Sequence, residues 1–429
     1  MAVGMINIVI YVCLSQLQEV GVYNTAIKQI PKEIIVIFLI LLSIPVQFFI
    51  LILIGIIFKE NELATIITSG LFVVACTSII WVTSSEDRQR YNDEQAYNNI
   101  EKYDYEQGIS TPEGYPIKLL SESEFNIAIK GYNNPVTLLE ANKVYSESWG
   151  NGDTTFKSSD SGGIMLLDSL RLCWYSFLED KYYQLNTKLD KTKITNYFRK
   201  GYRWNKDGRL EKIENNTYKE LVAGIAPGGH VVLWVSSRRD AKEVAIFKAN
   251  EVSVEKIASY DIVDEEERKE VLSDTCTCEN NIQFRKIVNN NKPIPFGIWT
   301  DKYRKKFNWK VSINNFGQTK SELDFYFFNG EKYALYNEEV TNMKYQPRVL
   351  PNYLYFTFIK DQKKYDVYLE FDENEIFNYF NKLTKNNSNE AIDIVVTIDS
   401  SLNPKTIQLH SKNKKLNFEK MKKVEIYKN

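Results

Sequence analysis

The chain has 429 residues, carries 54 basic against 55 acidic side chains for a net charge of -1, and is 13% aromatic. That length asks for two or three folding units, and such an aromatic content lets the soluble part bury a core, which excludes a disordered chain. The balanced charge, without a basic stripe, sets nucleic acid aside as a partner. The five cysteines, Cys13, Cys76, Cys173, Cys276 and Cys278, make no disulfide framework.

Met5 to Leu14 is apolar, yet no basic segment precedes it and no small-residue cleavage site follows. Residues 1–30 are therefore expected to form an interfacial or packing helix, with a third membrane segment as the alternative. Ile34 to Phe58 runs 25 residues without a charge, enough to cross a hydrocarbon layer of about 30 Å. After the polar turn Lys59-Glu60-Asn61-Glu62, Leu63 to Val82 offers a second span, with Trp81 as an interface anchor. Residues 1–83 thus read as an all-α membrane anchor, a transmembrane hairpin meeting lipid through residues 34–82. Lys28, Lys32, Arg88, Arg90 and Lys102 flank it on the terminal side against Lys59 in the turn, so charge asymmetry puts the soluble region in the cytoplasm.

Residues 84–111 are polar and tyrosine-rich with helical spacing, and are expected to form a stalk. Beyond them the pattern alternates as strands do, and it repeats. Phe125-Asn126-Ile127-Ala128-Ile129 returns 182 positions later as Phe307-Asn308-Trp309-Lys310-Val311, and Trp174 to Asp180 matches Tyr355 to Asp361. Tyr183, Asp190, Ile194 and Asn196-Tyr197-Phe198 align in turn with Tyr365, Asp372, Ile376 and Asn378-Tyr379-Phe380. Matching blocks in one order at a nearly constant offset predict two copies of one unit. Each copy is expected to run from a hairpin through an Asp cap into a short amphipathic helix that covers the sheet. Asn329-Gly330, between alternating runs, predicts a two-residue hairpin turn. The predicted architecture is mainly β: two tandem β-sandwich-like lobes at 112–260 and 294–429, joined by an acidic helix and linker at 261–293.

No arrangement in the sequence compels a catalytic assignment. His230 and His410 fall on strands of different lobes, and Cys276 with Cys278 makes an incomplete metal shell, so no catalytic residue, cofactor or metal is expected. Asp264 to Glu267 reads as a solvated helix start. Pro227-Gly228-Gly229 reads as a hairpin turn, and Glu179-Asp180 sits in another turn with no second carboxylate beside it. The aromatics Trp149, Trp174, Tyr175, Tyr182 and Tyr183 would form an interaction patch if they faced outward.

Gly114-Tyr115-Pro116, Trp149-Gly150, Leu172 to Ser176 with Glu179 and Tyr182-Tyr183, and Pro227-Gly228-Gly229 with Val231 to Trp234 resemble a bacterial family catalogued as domain of unknown function 2931. Ile298-Trp299 to Trp309 and the Asn329-Gly330-Glu331 turn resemble the C-terminal part of its longer members. The family has no established activity or catalytic residues to carry over. The resemblance implies envelope proteins, usually lipoproteins, some lying beside secreted effectors of the phospholipase class. On that footing the lobes would be periplasmic, and a helical hairpin replaces the lipid-bearing cysteine. The expected function is a membrane-anchored, non-enzymatic binding protein of the bacterial inner membrane. It would engage another protein as an immunity factor, or else serve as a structural or sensory envelope protein binding glycan or lipid.

Overall fold

The computed structural model describes residues 49–83, 101–126, 137–138, 143–144, 149–152, 154–157, 163–205, 210, 212–273, 292–314, 320–360, 362–398 and 404–428. Met5 to Leu14, most of Ile34 to Phe58, residues 84–100, Cys276 and Cys278 lie outside them. The chain separates into two compact units, 1–100 and 101–429.

In the first unit, residues 49–57 are helical, and Asn61 caps helix α1 (Glu62–Thr83) by accepting from the Ala64 amide at 3.1 Å. Among the described residues no helix is long and apolar enough to cross a membrane.

The second unit is mainly β. Its first half holds β1 (Glu106–Ser110), β2 (Ile117–Leu119), β3 (Glu124–Asn126), β4 (Thr137–Leu138), β5 (Lys143–Val144), β6 (Thr154–Lys157), β7 (Ser169–Ser176) and β8 (Lys181–Lys188). Helix α2 (Lys191–Lys200) follows, then β9 (Tyr202–Asn205), β10 (Ile213–Asn216), β11 (Glu220–Ala226), β12 (His230–Ser236), β13 (Ala241–Lys248), β14 (Asn250–Val252) and helix α3 (Glu265–Leu272). The second half holds β15 (Phe307–Asn314), β16 (Ser321–Phe327), β17 (Lys332–Tyr336), β18 (Gln346–Arg348), β19 (Pro351–Lys360) and β20 (Lys363–Glu370). After helix α4 (Glu373–Thr384) come β21 (Ile392–Ile398), β22 (Pro404–His410), β23 (Lys415–Asn417) and β24 (Lys423–Lys428).

The pairing of these strands repeats. In the first half β5-β2-β7-β8-β14 form one antiparallel run, and β6-β1-β11-β12-β13 form another whose β1 and β11 are parallel. In the second half the runs are β17-β16-β19-β20-β24 and β18-β15-β21-β22-β23, with β15 and β21 parallel. The order and the single parallel pair are the same in both. The halves join where Ala241 of β13 bridges Lys332 of β17, which fuses one run from each into a ten-stranded sheet.

The hairpin-and-helix unit recurs with its caps. Asp190 accepts from the Lys193 amide and Asp372 from the Glu375 amide, both at 2.9 Å, so each helix start has a satisfied donor. Ile194 and Phe198 are buried under α2; Ile376, Phe377, Phe380 and Leu383 are buried under α4. One apolar cluster takes Phe307, Trp309 and Ile394 from one sheet and Phe325, Phe356 and Val367 from the other, with Ile376 and Phe380 of α4 among them.

Four expectations need correction. Residues 106–110 of the supposed stalk are β1, buried between β11 and β6, because their polar groups satisfy a strand ladder and not a helix. Phe125 lies in β3, whereas the counterpart of Phe307 in β15 is β1, so that sequence match joins unlike strands. The third error is one of register. Ser176 pairs with Lys181 across a four-residue loop and Lys360 with Lys363 across a two-residue loop. Trp174 faces Tyr183 while Phe358 faces Tyr365, so Phe358, not Tyr355, is the equivalent of Trp174; an odd shift along a strand exchanges its faces. Finally, the Asn329-Gly330 connection is a three-residue loop: the Phe327 amide donates to Glu331 O at 2.9 Å and Gly330 takes the left-handed φ of 86°.

Candidate functional site

A cleft of about 590 Å³ opens at one end of the first half, between the β7–β8 turn, the β11–β12 turn and residues 294–296. The β7–β8 turn places Glu179, held beside Asp180, whose φ of 56° is left-handed. The β11–β12 turn is the tight connection expected from its sequence: Ala226 pairs with His230, and Gly228 and Gly229 take φ of 78° and 70°. A Cβ on Gly229 would stand 2.7 Å from the Tyr183 ring, so glycine is required by both conformation and space.

Glu179 ties the two turns together. One carboxylate oxygen accepts from the Tyr183 hydroxyl at 2.9 Å and the Gly228 amide at 2.8 Å, and the other from the Ser176 hydroxyl at 2.8 Å. On the far wall His230 and Lys248 are a cross-strand pair, with ring Nε2 3.3 Å from the ammonium, which also donates to the Gly228 carbonyl. Burial and then the Lys248 charge lower the His230 pKa, so the imidazole is neutral near pH 7. Lys181 and Glu251 pair at 2.7 Å on the rim, and the Phe296 ring stands 62% exposed at the mouth.

Glu179 accepts from three donors, and His230 faces a cation. Paired charges beside an exposed ring suit a ligand with both polar and apolar faces. Among the described residues no group of three or more His, Cys, Asp or Glu could hold a metal. His410 lies on β22, 2.8 Å from Gln408 Oε1, and is not part of this cleft. Lys248 and Phe296 were missed in the sequence; His230 and Glu179 were named there without the turn-to-turn contact that gives them a role.

The aromatic patch expected from the sequence is core. Trp174 and Tyr183 are 1% and 5% exposed and stack at 5.4 Å on the inner side of β7 and β8. Their neighbours Tyr175 and Tyr182 take the opposite side, as strand alternation requires. They are nevertheless buried, because Val271 packs there and the Val263 amide donates to the Tyr182 hydroxyl at 2.8 Å. Trp149 is half-buried and meets Trp234 edge-on at 5.0 Å. Of the five, Tyr183 alone lines the cleft.

Residues 86–297 match the model of a family described as Protein of unknown function (DUF2931). The match covers the first half of the β-rich unit, cleft included. No curated protein matches the chain, and no solved structure does.

Proposed function

We propose that this chain is a membrane-anchored, non-enzymatic binding protein that engages another protein, neutralising a secreted antibacterial effector. The observation that carries the anchor is exposure. Ile56, Ile57, Leu63, Ile66 and Leu71 stand 62%, 71%, 68%, 69% and 65% exposed on neighbouring helical segments. Covering each fully is worth roughly 1.5–3 kcal/mol, which lipid around residues 34–82 would supply. In a bacterial inner membrane the positive-inside count favours the cytoplasmic side for the β-rich unit, and the resemblance to envelope lipoproteins favours the periplasm.

The binding role draws on a cleft whose acid is fully engaged, and on the effector-linked context of the resembling family. Fractionation decides the anchor: the protein should stay with membranes through a carbonate wash, and recovery in the aqueous fraction removes that part. Protease access on spheroplasts decides the side. Co-expression with an effector encoded beside this chain should restore growth and yield a complex; neither appearing removes the immunity role.

A second reading, a structural or sensory envelope protein, has the cleft itself in its favour. An exposed Phe296 ring among Lys181, His230 and Glu251 suits the apolar and hydroxyl faces of a sugar. Saturable binding on a glycan array, lost in Phe296→Ala, would favour it over the first.

A further inference from the structure

The strand order that the two halves share is complete at β14 in the first and at β24 in the second. Residues 253–272 follow β14, so they lie outside the repeated unit. They form a cover over the outer side of β7 and β8. Leu120, Cys173, Tyr175 and Tyr182 pack against Val271 of α3, with Ile257, Val263 and Leu272 beside it. Polar contacts complete the seat. Lys118 and Lys143 reach Glu267 at 2.9 and 3.4 Å, and the Val263 amide donates to the Tyr182 hydroxyl at 2.8 Å. Asp261 accepts from the Ser121 amide at 2.9 Å and from its hydroxyl at 2.6 Å.

This cover is held at few points. Of residues 253–272 only Asp261 and Val271 are buried, and Val254, Tyr260 and Ile262 face solvent. Helix α3 has eight residues, too short to persist in water without packing. A segment of this length with so little buried gains little to offset the entropy of ordering it, which puts it at the low-stability end of the fold. Between the cover and the cleft stands the β7–β8 turn, whose two acids are held from different sides. Asp180 accepts from the Tyr175 hydroxyl at 2.6 Å beneath the cover, and Arg268 of α3 lies 3.5 Å from it. Glu179 is held in the cleft by the Tyr183 hydroxyl and the Gly228 amide. Strand β8 repeats the division, since Tyr182 accepts from the cover and the next residue, Tyr183, donates to Glu179. Asp180 also carries the left-handed backbone of the turn, so the way it is held sets how Glu179 is presented.

We propose that residues 253–272 are a latch on the cleft. The cover opens without unfolding the sheets, and its opening loosens the hold of Glu179 on the β11–β12 turn by releasing Asp180. A coupling of this kind acts in both directions, so breaking the Glu179 contacts lets the cover open more readily. An ion pair as exposed as Arg268 with Asp180 is a small lever, so each site shifts the other by about twofold to fivefold. The inference goes beyond the binding reading and holds whatever the cleft takes.

Hydrogen exchange of the full chain in detergent tests it. The amides followed are Val263 and Arg268 in the cover, Gly228 in the cleft and Val232 in the central strand β12. Asp261→Ala should quicken exchange at Val263 and Arg268 by at least about tenfold, because it removes a charged acceptor from the seat. Gly228 should follow by about twofold to fivefold, with Val232 unchanged. Glu267→Gln weakens only the pairs to Lys118 and Lys143; it should give the same pattern to a smaller degree, and it serves should Asp261→Ala misfold. Glu179→Ala should in return quicken Val263 by about twofold to fivefold. In an Asp180→Asn/Arg268→Ala background, where Asn tolerates the left-handed turn, Asp261→Ala should still open the cover but leave Gly228 as it was. Quickening of Val263 without Gly228, or of Val232 in step with Val263 in both cover variants, overturns the proposal. So does a Val263 amide indifferent to Glu179→Ala, or a Gly228 response that survives the double substitution.

Discussion

Gly150 and Gly330 meet backbone to backbone where the two halves of the β-rich unit join, and neither has room for a side chain. A Cβ on Gly150 would lie 2.7 Å from Gly330 Cα, and one on Gly330 would lie 3.1 Å from both Gly150 Cα and the Trp234 ring. Both take left-handed φ, 87° and 86°. Each alanine substitution therefore adds strain of about 1–3 kcal/mol before any clash is counted. Gly150→Ala, whose nearest atoms are all Gly330 backbone, should cost more than Gly330→Ala, whose Cβ stands farther from Gly150 Cα and otherwise meets a ring that can shift. Denaturant titration of the two variants measures the order; equal and negligible losses would mean that the halves do not meet this way.

The paired helix caps offer a graded comparison. Asp190→Ala and Asp372→Ala each remove one acceptor from a helix start, for about 1 kcal/mol. The loss should fall harder on α2, which buries only Ile194 and Phe198, than on α4, which is held by four apolar side chains and by Glu375. Hydrogen exchange at the Lys193 and Glu375 amides reads each cap directly.

These caps were legible in the sequence because a cap is local: an Asp three residues ahead of its bonded amide is the same in one dimension and three. The same holds for the Pro227-Gly228-Gly229 turn. Register was not legible. Adjacent aromatics on β7 and β8 and the run of Tyr and Phe on β19 let blocks match in phase and out of phase, and only the loop between the strands fixes which face each ring takes. The cleft was hidden for a related reason: Glu179 acts through Gly228, 49 positions on, and nothing local records that contact. The row of Glu322 and Asp324 alternates with Leu323 and Phe325, a pattern that reads as ordinary solvated strand until Arg239 is found across the join.

Trp174 separates core from interface. As an inward residue stacked on Tyr183, its replacement by Ala should cost about 3–5 kcal/mol of stability. Binding by whatever fraction remains folded should be unaltered. A variant of full stability with impaired partner binding would restore the patch expected from the sequence.

Cys173 gives a label-based check on the covered face. Burial holds its thiol up at about 12, so almost no thiolate exists at pH 8. Mass mapping after alkylation of the folded protein should leave Cys173 unmodified, and its labelling should begin with unfolding or with release of the 253–272 cover. Rapid labelling under native conditions would show that the cover opens freely.

The buried acid row makes a signed prediction about pH. Burial and Glu322 raise the Asp324 carboxyl to about 7, whereas an unfolded aspartate titrates near its ordinary 3.8. Between those values the folded state holds a proton that the unfolded state has released, so stability falls as pH rises through that window. The groups that set this balance are Glu322 and Asp366 on neighbouring strands, Arg239 from the β12–β13 turn and Lys364 of β20. Asp324→Asn removes the titration while keeping the shape and an oxygen for Arg239. The variant should gain on the parent as pH rises from 4.5 past 7, by about 2–4 kcal/mol at most given the size of the shift. Thermal melts of both proteins across pH 4.5–8 decide it. A parent whose stability rises over this range, or a variant that loses stability above pH 7, would mean that Arg239 already compensates the row.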